Sequence, residues 1–572
     1  MVWFVKKPLL LEAEEEALTL AGYDYRIDEL AKREGRLVIE VDYSHPYLGD
    51  KEKHTLKCYY PAAYPYFAVE VQGASLPPGR HINPVDHRLC LYEDVQNSWD
   101  PSSDTLAKAL GEQVPIILER HINADTPSED EEQVGYQVTG QLLYEKISVL
   151  YINDTPIPDS VSHGKMYLKL HADYSLGKPI VGFLESIENR DEVIAITDES
   201  LDNIFTKECM CRWVKLNSLP NTISESILLE EAGKIFPAIK TPKYSIDGTD
   251  IVGLLIPEES EYRVPVYNWI FIVRRRPKNK KQNKHKPEPV FVRSDRYTKS
   301  NIRKRIPRLN DLLGKHVTLI GVGALGSQIA WQLVRSGIDS LTLIDCDVVL
   351  AGNLPRWLLG FSAIGMDKVH AVAIHLVNNY PGVKCKIYNL RIGHGHTITL
   401  DNVPYDAHEF LCQSIKESDL VVDAAAETNI SLYLSNTCEE QGIPYVWATG
   451  TRGAWGGIVG RVIPGATEGN WTDFSYMYSA GEITPPPEEV NSDVQNAGCF
   501  SPTFTGSGFD MDHISIMATR VAVATLCQTG DSYPDFDWDV GVLHLWDENS
   551  GLPIAPKWET YKLKSRASSE PA

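Results

Sequence analysis

Residues 321–326, GVGALG, limit what this chain can fold into more than any other stretch. They follow the apolar run HVTLI and open SQIAWQLVRSG. A strand, a glycine turn and an amphipathic helix thus stand in the order that a Rossmann-like α/β fold requires. Gly321 permits the tight turn and Gly323 lets backbone N–H groups approach a phosphate. Gly326 lets the helix lie close to the sheet, its positive N-terminal end towards the anion. Asp345 ends a second apolar run, LTLID, about 20 residues further on, where such folds hold a carboxylate to the ribose hydroxyls. The combination predicts a nucleotide site.

The segments IDCDVVLAGNLPRWL and GMDKVHAVAIHL follow. Over roughly residues 305 to 530 the chain resembles the adenylating enzymes of the ubiquitin-activating, ThiF and MoeB superfamily. Asp345 and Asp347 match its D-x-D, Asn353 and Arg356 its N-x-x-R, and Lys368 begins the next helix. The resemblance implies ATP as the nucleotide, with Arg356 and Lys368 stabilising charge on the α- and β-phosphates as pyrophosphate leaves. In the family the following strand ends in D-x-x-D, whose second Asp helps hold Mg²⁺. Here DLVVDAAAETN places Ala426 at that position. The metal carboxylate is then Glu427, or Asp423 acting through water, or the magnesium site is weaker than usual. Many members carry two C-x-x-C zinc pairs; where a pair would stand this chain reads ATEGNWTDF, so no zinc is expected. The stretch RSDRYTKSNIRKRIPRLNDLLGK resembles the helix that, in symmetric dimers, lends an arginine to the neighbouring ATP. Arg303, Arg305 and Arg308 are the candidates, and a homodimer is expected.

Near the N-terminus, residues 9–31 read as a helix and RLVIEVDYS as a strand, with two more strands in HTLKCYYPAAYPYFAVEVQG. The segment RHINPVDHRLCLYEDVQNSWDP resembles the active-site stretch of ubiquitin-conjugating enzymes, and the likeness covers residues 10–125. It rests on a preceding YP, on His81 and Asn83 in H-x-N, on Cys90 followed by Leu91, on Trp99 and Pro101 in W-x-P, and on a helix afterwards. The resemblance implies a thioester on Cys90, with Asn83 donating an amide hydrogen bond to the oxyanion as an amine attacks. Two departures stand out. Ile82 replaces proline, and Asn83 is one residue closer to Cys90 than in the family. Either the loop is re-cut or Asn83 is only structural.

Between these modules, ADTPSEDEEQVG reads as a solvated acidic linker. Residues 136–273 are strand-rich, with Cys209 and Cys211 as structural thiols, and VRRRPKNKKQNKHKPEP reads as a basic surface loop. The expected division is a conjugating-like α+β domain over 1–130, a connecting domain with the basic loop over 131–290, and a Rossmann-like, ThiF-type adenylation domain over 291–572. A net charge of −22 argues against general affinity for nucleic acid or anionic membranes. No apolar run approaches transmembrane length, and the ten Cys lack disulfide-type spacing. A cytoplasmic location is the expectation.

Cys499 lies in a small-residue loop, NAGCFSPTFTGSG, ahead of a helix. By resemblance to ubiquitin-activating enzymes it is the thiol that takes the acyl group from AMP. Cys346, Cys438 and Cys527 read as core, and His394 and His396 as surface. The order of modules resembles bacterial fused enzymes encoded beside cGAS/DncV-like nucleotidyltransferases in antiphage defence operons. That implies adenylation of the nucleotidyltransferase C-terminus, thioesters on Cys499 and then Cys90, and ligation to a target amine. A sulfur-carrier activator would leave Cys90 and W-x-P unexplained, and an NAD-dependent oxidoreductase would leave Arg356 and Lys368 idle. A non-catalytic scaffold is favoured only by Ile82 and Ala426.

Overall fold

The computed structural model describes residues 2–48, 53–76, 81–92, 99–122, 137–152, 157–171, 173, 178–189, 192–196, 204–245, 248–261, 264–276, 288–296, 303–380, 382–393, 397–400, 403–489, 504–528 and 532–566. The chain forms two compact units, residues 1–297 and 298–572.

After a one-turn helix, Trp3–Lys6, the first unit runs through helix α1 (Pro8–Leu20), strand β1 (Asp24–Ile27), helix α2 (Glu29–Arg33) and strands β2 (Val38–Tyr43), β3 (His54–Tyr59) and β4 (Glu70–Gln72). The single helix expected over 9–31 is therefore broken. Gly22 takes φ +78°, a left-handed turn that ends α1. The next residues pair antiparallel with β2, and Asp28 restarts the helix by accepting from Leu30 N and Ala31 N, each at 3.0 Å. The four strands form an antiparallel meander. Alternate residues Ile39, Val41, Leu56 and Cys58 are buried against Leu18 of α1 and Leu106, Leu110 and Val114 of helix α3 (Leu106–Ile122).

A carboxylate ties these helices to the loop between β3 and β4. Glu14 is 1% exposed and accepts hydrogen bonds from Tyr60 Oη at 2.8 Å, Tyr64 Oη at 2.5 Å and Leu106 N at 3.0 Å.

The rest of the unit is one eight-stranded sheet: β5 (Tyr144–Ile152), β6 (His163–His171), β7 (Val181–Asn189), β8 (Glu192–Ile196), β9 (Phe205–Lys215), β10 (Thr249–Glu261), β11 (Val264–Arg275) and β12 (Val290–Arg296). Its order is β5-β12-β11-β10-β9-β6-β7-β8, and an additional β5–β7 pairing closes seven of the strands into a ring. Trp269, Phe271 and Val273 of β11 fill one face, while Ile270 and Ile272 pack with helix α4 (Glu225–Ile235) on the other. Because β12 belongs to this ring, the first unit runs to residue 297, past the boundary expected at 290.

In the second unit the chain forms β13 (His316–Ile320), helix α5 (Ala324–Arg335), β14 (Ser340–Asp345), helix α6 (Lys368–Asn379) and β15 (Lys384–Asn389). A small hairpin of β16 (Thr397–Leu400) and β17 (Val403–Asp406) precedes helix α7 (Ala407–Lys416), β18 (Leu420–Asp423) and helix α8 (Thr428–Gln441). Then come β19 (Tyr445–Gly450), β20 (Gly456–Val462), helix α9 (Trp471–Ser479), helix α10 (Gly508–Leu526), β21 (Val540–Asp547) and β22 (Leu552–Tyr561). The main sheet runs β15-β14-β13-β18-β19-β20-β21-β22; the first five strands are parallel and the rest antiparallel. Connections leave β13 towards β14 on one side and arrive at β18 on the other. The crevice above the carboxyl end of β13 is thus the switch point where such sheets take ligands. Ahead of β13, in the stretch expected to carry the arginine-bearing helix, Arg303 is helical and a 3-10 turn spans Pro307–Leu312, while residues 297–302 lie outside the described residues. Arg303 donates to Gly337 O at 3.2 Å there.

Replacing Glu14 by Ala leaves two tyrosine hydroxyls and a helix N–H without their buried acceptor. A loss of about 2–4 kcal/mol is expected, read as a lower urea midpoint of the N-terminal unit by tryptophan fluorescence.

Candidate active site

The glycine turn is built by contacts that admit no side chain. Gly321 has φ +81°, and a Cβ there would lie 2.6–2.7 Å from the backbone of Ala424 and Ala425. A Cβ on Gly326 would stand 1.8 Å from the carbonyl oxygen of Gly321. Gly323 differs: nothing lies within 4 Å of where its Cβ would be, and the residue borders a cleft. It is also the N-cap of α5 and provides no side-chain cap, so the first-turn N–H groups remain available to an anion. Asp345 closes the turn from the next strand. Its Oδ2 accepts from Val322 N at 2.6 Å and its Oδ1 from Asp347 N at 2.8 Å. Trp357 Nε1 donates to Val322 O at 2.8 Å from below.

Lys368 opens α6 and is 8% exposed; its Nζ lies 2.7 Å from Asp347 Oδ2, and its N–H donates to Asp347 O at 2.9 Å. Gly321, Gly323, Asp345, Asp347, Lys368 and Glu427 line one cleft of about 180 Å³. Leu390, Arg391, Ile392, Glu427 and Ile430 are shared with an adjoining cleft of about 460 Å³ that reaches His408 and Tyr433. Gly326 is absent from this lining because its task is packing. Asn353 and Arg356 also stand outside it. Asn353 Oδ1 accepts from Leu350 N at 2.8 Å and so shapes the loop that carries Arg356. Desolvation holds the Arg356 guanidinium below its ordinary pKa.

Two sequence expectations, for Asp423 and for Cys346, differ from the structure. Asp423 does not face the cleft: it is 1% exposed, its Oδ1 accepts from Ala425 N at 2.9 Å, and its Oδ2 from Ser431 Oγ at 2.6 Å and Tyr445 Oη at 2.8 Å. Burial raises its pKa, and its oxygens are committed to holding β18, α8 and β19 together. Ala426, next but two, takes φ +58°, and Glu427 after it reaches the cleft wall. Cys346 is not core but exposed on the same wall, where desolvation and then the Asp347 and Asp345 carboxylates push its thiol up. Cys438 and Cys527 are buried as expected. Arg391, which sequence reasoning missed, lies two residues past the end of β15; a cation at the carboxyl end of a parallel strand was the available signal.

In the first unit Cys90 is exposed at the end of a short hairpin bridged at Ile82–Leu89, and its N–H donates to His81 O at 2.8 Å. His81 and His87 take φ +64° and +57°, a left-handed backbone that non-glycine residues adopt at a cost. Burial pushes the Cys90 thiol up; Arg88 opposes that shift and Asp86 adds to it. Asn83 is 4% exposed, accepts from Val85 N at 2.8 Å and donates to Gln141 O at a long 3.5 Å. Its carbonyl oxygen therefore shapes the turn. Trp99 donates to Pro65 O at 2.7 Å, tying the W-x-P segment to the YP turn. Cys499, His394 and His396 lie outside the described residues.

Residues 300–529 match the model of the ThiF family. The second unit is accordingly a ThiF family domain, and the chain is an enzyme of the ubiquitin-activating-like, adenylating type. The "Uncharacterized protein y4oA" of Sinorhizobium fredii (strain NBRC 101917 / NGR234) is 27% identical over 588 residues, covering 99% of this chain and 97% of that one. The "ATP-dependent ubiquitin transferase-like protein Cap2" of Enterobacter hormaechei subsp. hoffmannii (strain UCI 50) is 24% identical over 250 residues, 44% of this chain and 39% of its own length. Among solved structures, E. coli MccB aligns at 16% identity and a TM-score of 0.34 over 47% of this chain and 71% of that one, which adds nothing to the assignment.

Gly326→Ala is expected to cost the C-terminal unit on the order of 3 kcal/mol, read as a lower urea midpoint, because backbone must move to admit the methyl group. Gly323→Ala should leave that midpoint unchanged and weaken ATP binding in calorimetry. For Cys90, a raised pKa keeps the thiol protonated at neutral pH. Its iodoacetamide alkylation, followed by peptide mass spectrometry, should keep accelerating above pH 9 instead of levelling off.

Proposed function

We propose that the chain is an ATP-dependent protein-conjugating enzyme of three parts. A ThiF-type module activates a partner protein, a conjugating-like module ligates it, and the strand ring lies between them in sequence. The observation that carries the reading is the single cleft where the glycine turn, Asp345 and the Lys368–Asp347 pair meet. It offers helix N–H groups and a buried ammonium to phosphates and a carboxylate to a ribose. The helix–meander–helix order around Cys90, and an N-terminal unit that the y4oA relative spans too, support the second module.

The partner's C-terminal carboxylate attacks the α-phosphorus of ATP, and pyrophosphate leaves. The Cys499 sulfur then attacks the acyl carbon, and AMP departs with the bonding electrons. Cys90 takes the acyl group by thiol exchange. A target amine attacks it, forming an amide and returning the proton and thiol to Cys90. Asn83 donates to the oxyanion in that last step once its long bond to Gln141 is exchanged. Glu427, which lines the cleft, would hold Mg²⁺ where the internally bonded Asp423 would not, and the ion would supply positive charge to the phosphates. By resemblance the partner is a cGAS/DncV-like nucleotidyltransferase primed for antiviral signalling, and the enzyme is a cytoplasmic homodimer.

The test is to express Cys90→Ser with the proteins encoded beside it, purify under denaturing conditions, and seek an adduct that hydroxide removes. Serine should trap an oxyester whose mass identifies the partner. An adduct on Cys499→Ser alone would confine transfer to the C-terminal unit, as in a sulfur-carrier activator. No adduct on either would favour a scaffold, the reading that Ala426 supports. Lys368→Met should lower partner-dependent ATP–pyrophosphate exchange by about 100-fold or more.

A further inference from the structure

No carboxylate among the described residues meets the charge of Arg356. Among the described residues it has no ion pair, and its one hydrogen bond, Nη1 to Gly352 O, is long at 3.4 Å. What holds it is an aromatic face: its guanidinium carbon lies 5.4 Å from the centroid of the Phe504 ring. Phe504 is itself fixed. Thr505 Oγ1 donates to Glu489 Oε2 at 2.8 Å, Gly506 bridges Gly453, and Gly508 begins α10 against Pro355. A Cβ on Gly508 would come within 3.0 Å of Pro355 O and 3.3 Å of Arg356 Cα, so the two chain segments touch backbone to backbone. The ring is also packed against the main core of the unit.

Arg356 stands outside the cleft lining but directly precedes Trp357, whose indole bonds Val322 O in the glycine turn. We propose that Phe504 is a positioning residue for Arg356, orienting its guanidinium for a nucleotide at that turn without neutralising it. A carboxylate partner would compete with phosphate for the same charge. A ring face orients the cation and leaves its N–H donors free for an anion. The proposal rests on the reading of the cleft as an ATP site. It adds a residue from beyond the glycine turn, D-x-D and N-x-x-R to the set that decides how the nucleotide is held.

The experiment is calorimetric titration of the full chain with ATP and MgCl₂, with thermal unfolding recorded for each variant. Phe504→Leu keeps apolar volume and removes the ring, and should bind ATP roughly 3- to 20-fold more weakly. Phe504→Tyr keeps the ring and should restore binding to within about twofold. In an Arg356→Ala background Phe504→Leu should have no further effect, because the ring acts through the guanidinium. A purely structural role would instead lower the unfolding temperature and leave the affinity alone. ATP affinity in Phe504→Leu equal to or tighter than that of the unmodified chain overturns the proposal, as does a full loss persisting without Arg356. An unmodified chain that takes up no ATP overturns both this proposal and the reading beneath it.

Discussion

The close approach of α5 to the glycine turn is the contact on which the second unit depends. With no Cβ at Gly326, the helix can seat its first turn on the carbonyl of Gly321. That seating aims its N–H groups past Gly323 into the cleft. Asp345 accepts from the backbone on both sides and locks the turn to the end of β14. Through Asp347 the same strand end reaches Lys368, so the sheet, the turn and the first residue of α6 share one hydrogen-bonded frame. Such a frame is preorganised: its dipoles need little rearrangement when charge develops on a phosphate.

Charge in this frame is arranged sparingly. Lys368 is paired, Arg356 rests on a ring, and Arg391 stands on the wall shared by the two clefts. Asp423, three residues before the place where a metal carboxylate is expected, serves as a three-way acceptor inside the fold. The left-handed backbone of Ala426 then brings Glu427 to the wall. A carboxylate one residue later along the chain can thus serve a similar volume, provided the backbone turns to deliver it.

What was legible in the sequence follows from periodicity and from residues with a single mechanical use. Gly321, Gly326 and Asp345 could be placed because no other residue types satisfy that turn. The parallel strands could be placed because both faces are apolar. The break of the first helix was hidden, since Tyr23–Ile27 continues an amphipathic pattern and only Gly22 marks the end. Of the alternatives for the metal carboxylate, Asp423 could not be set aside from sequence because its engagement by Ser431 and Tyr445 depends on how the next helix and strand fold back on it. Cys346 was read as part of an apolar strand although the aspartates flanking it belong to the exposed strand end. The closure of seven strands into a ring depends on the β5–β7 pairing, which no local pattern announces.

The hairpin that carries Cys90 does not stand by itself. Ile223 N donates to Pro84 O at 3.1 Å, Asn83 reaches Gln141, and Val85 packs against the buried cluster of Ile270, Ile272 and Leu228 on the outer face of the ring. The Cys90 thiol is therefore mounted on the wall of its neighbour. A flexible tether could preserve the distance between two modules, but it could not replace this wall. In evolutionary terms the ring and the thiol hairpin form one heritable piece, and exchanging either between relatives would require carrying the other along.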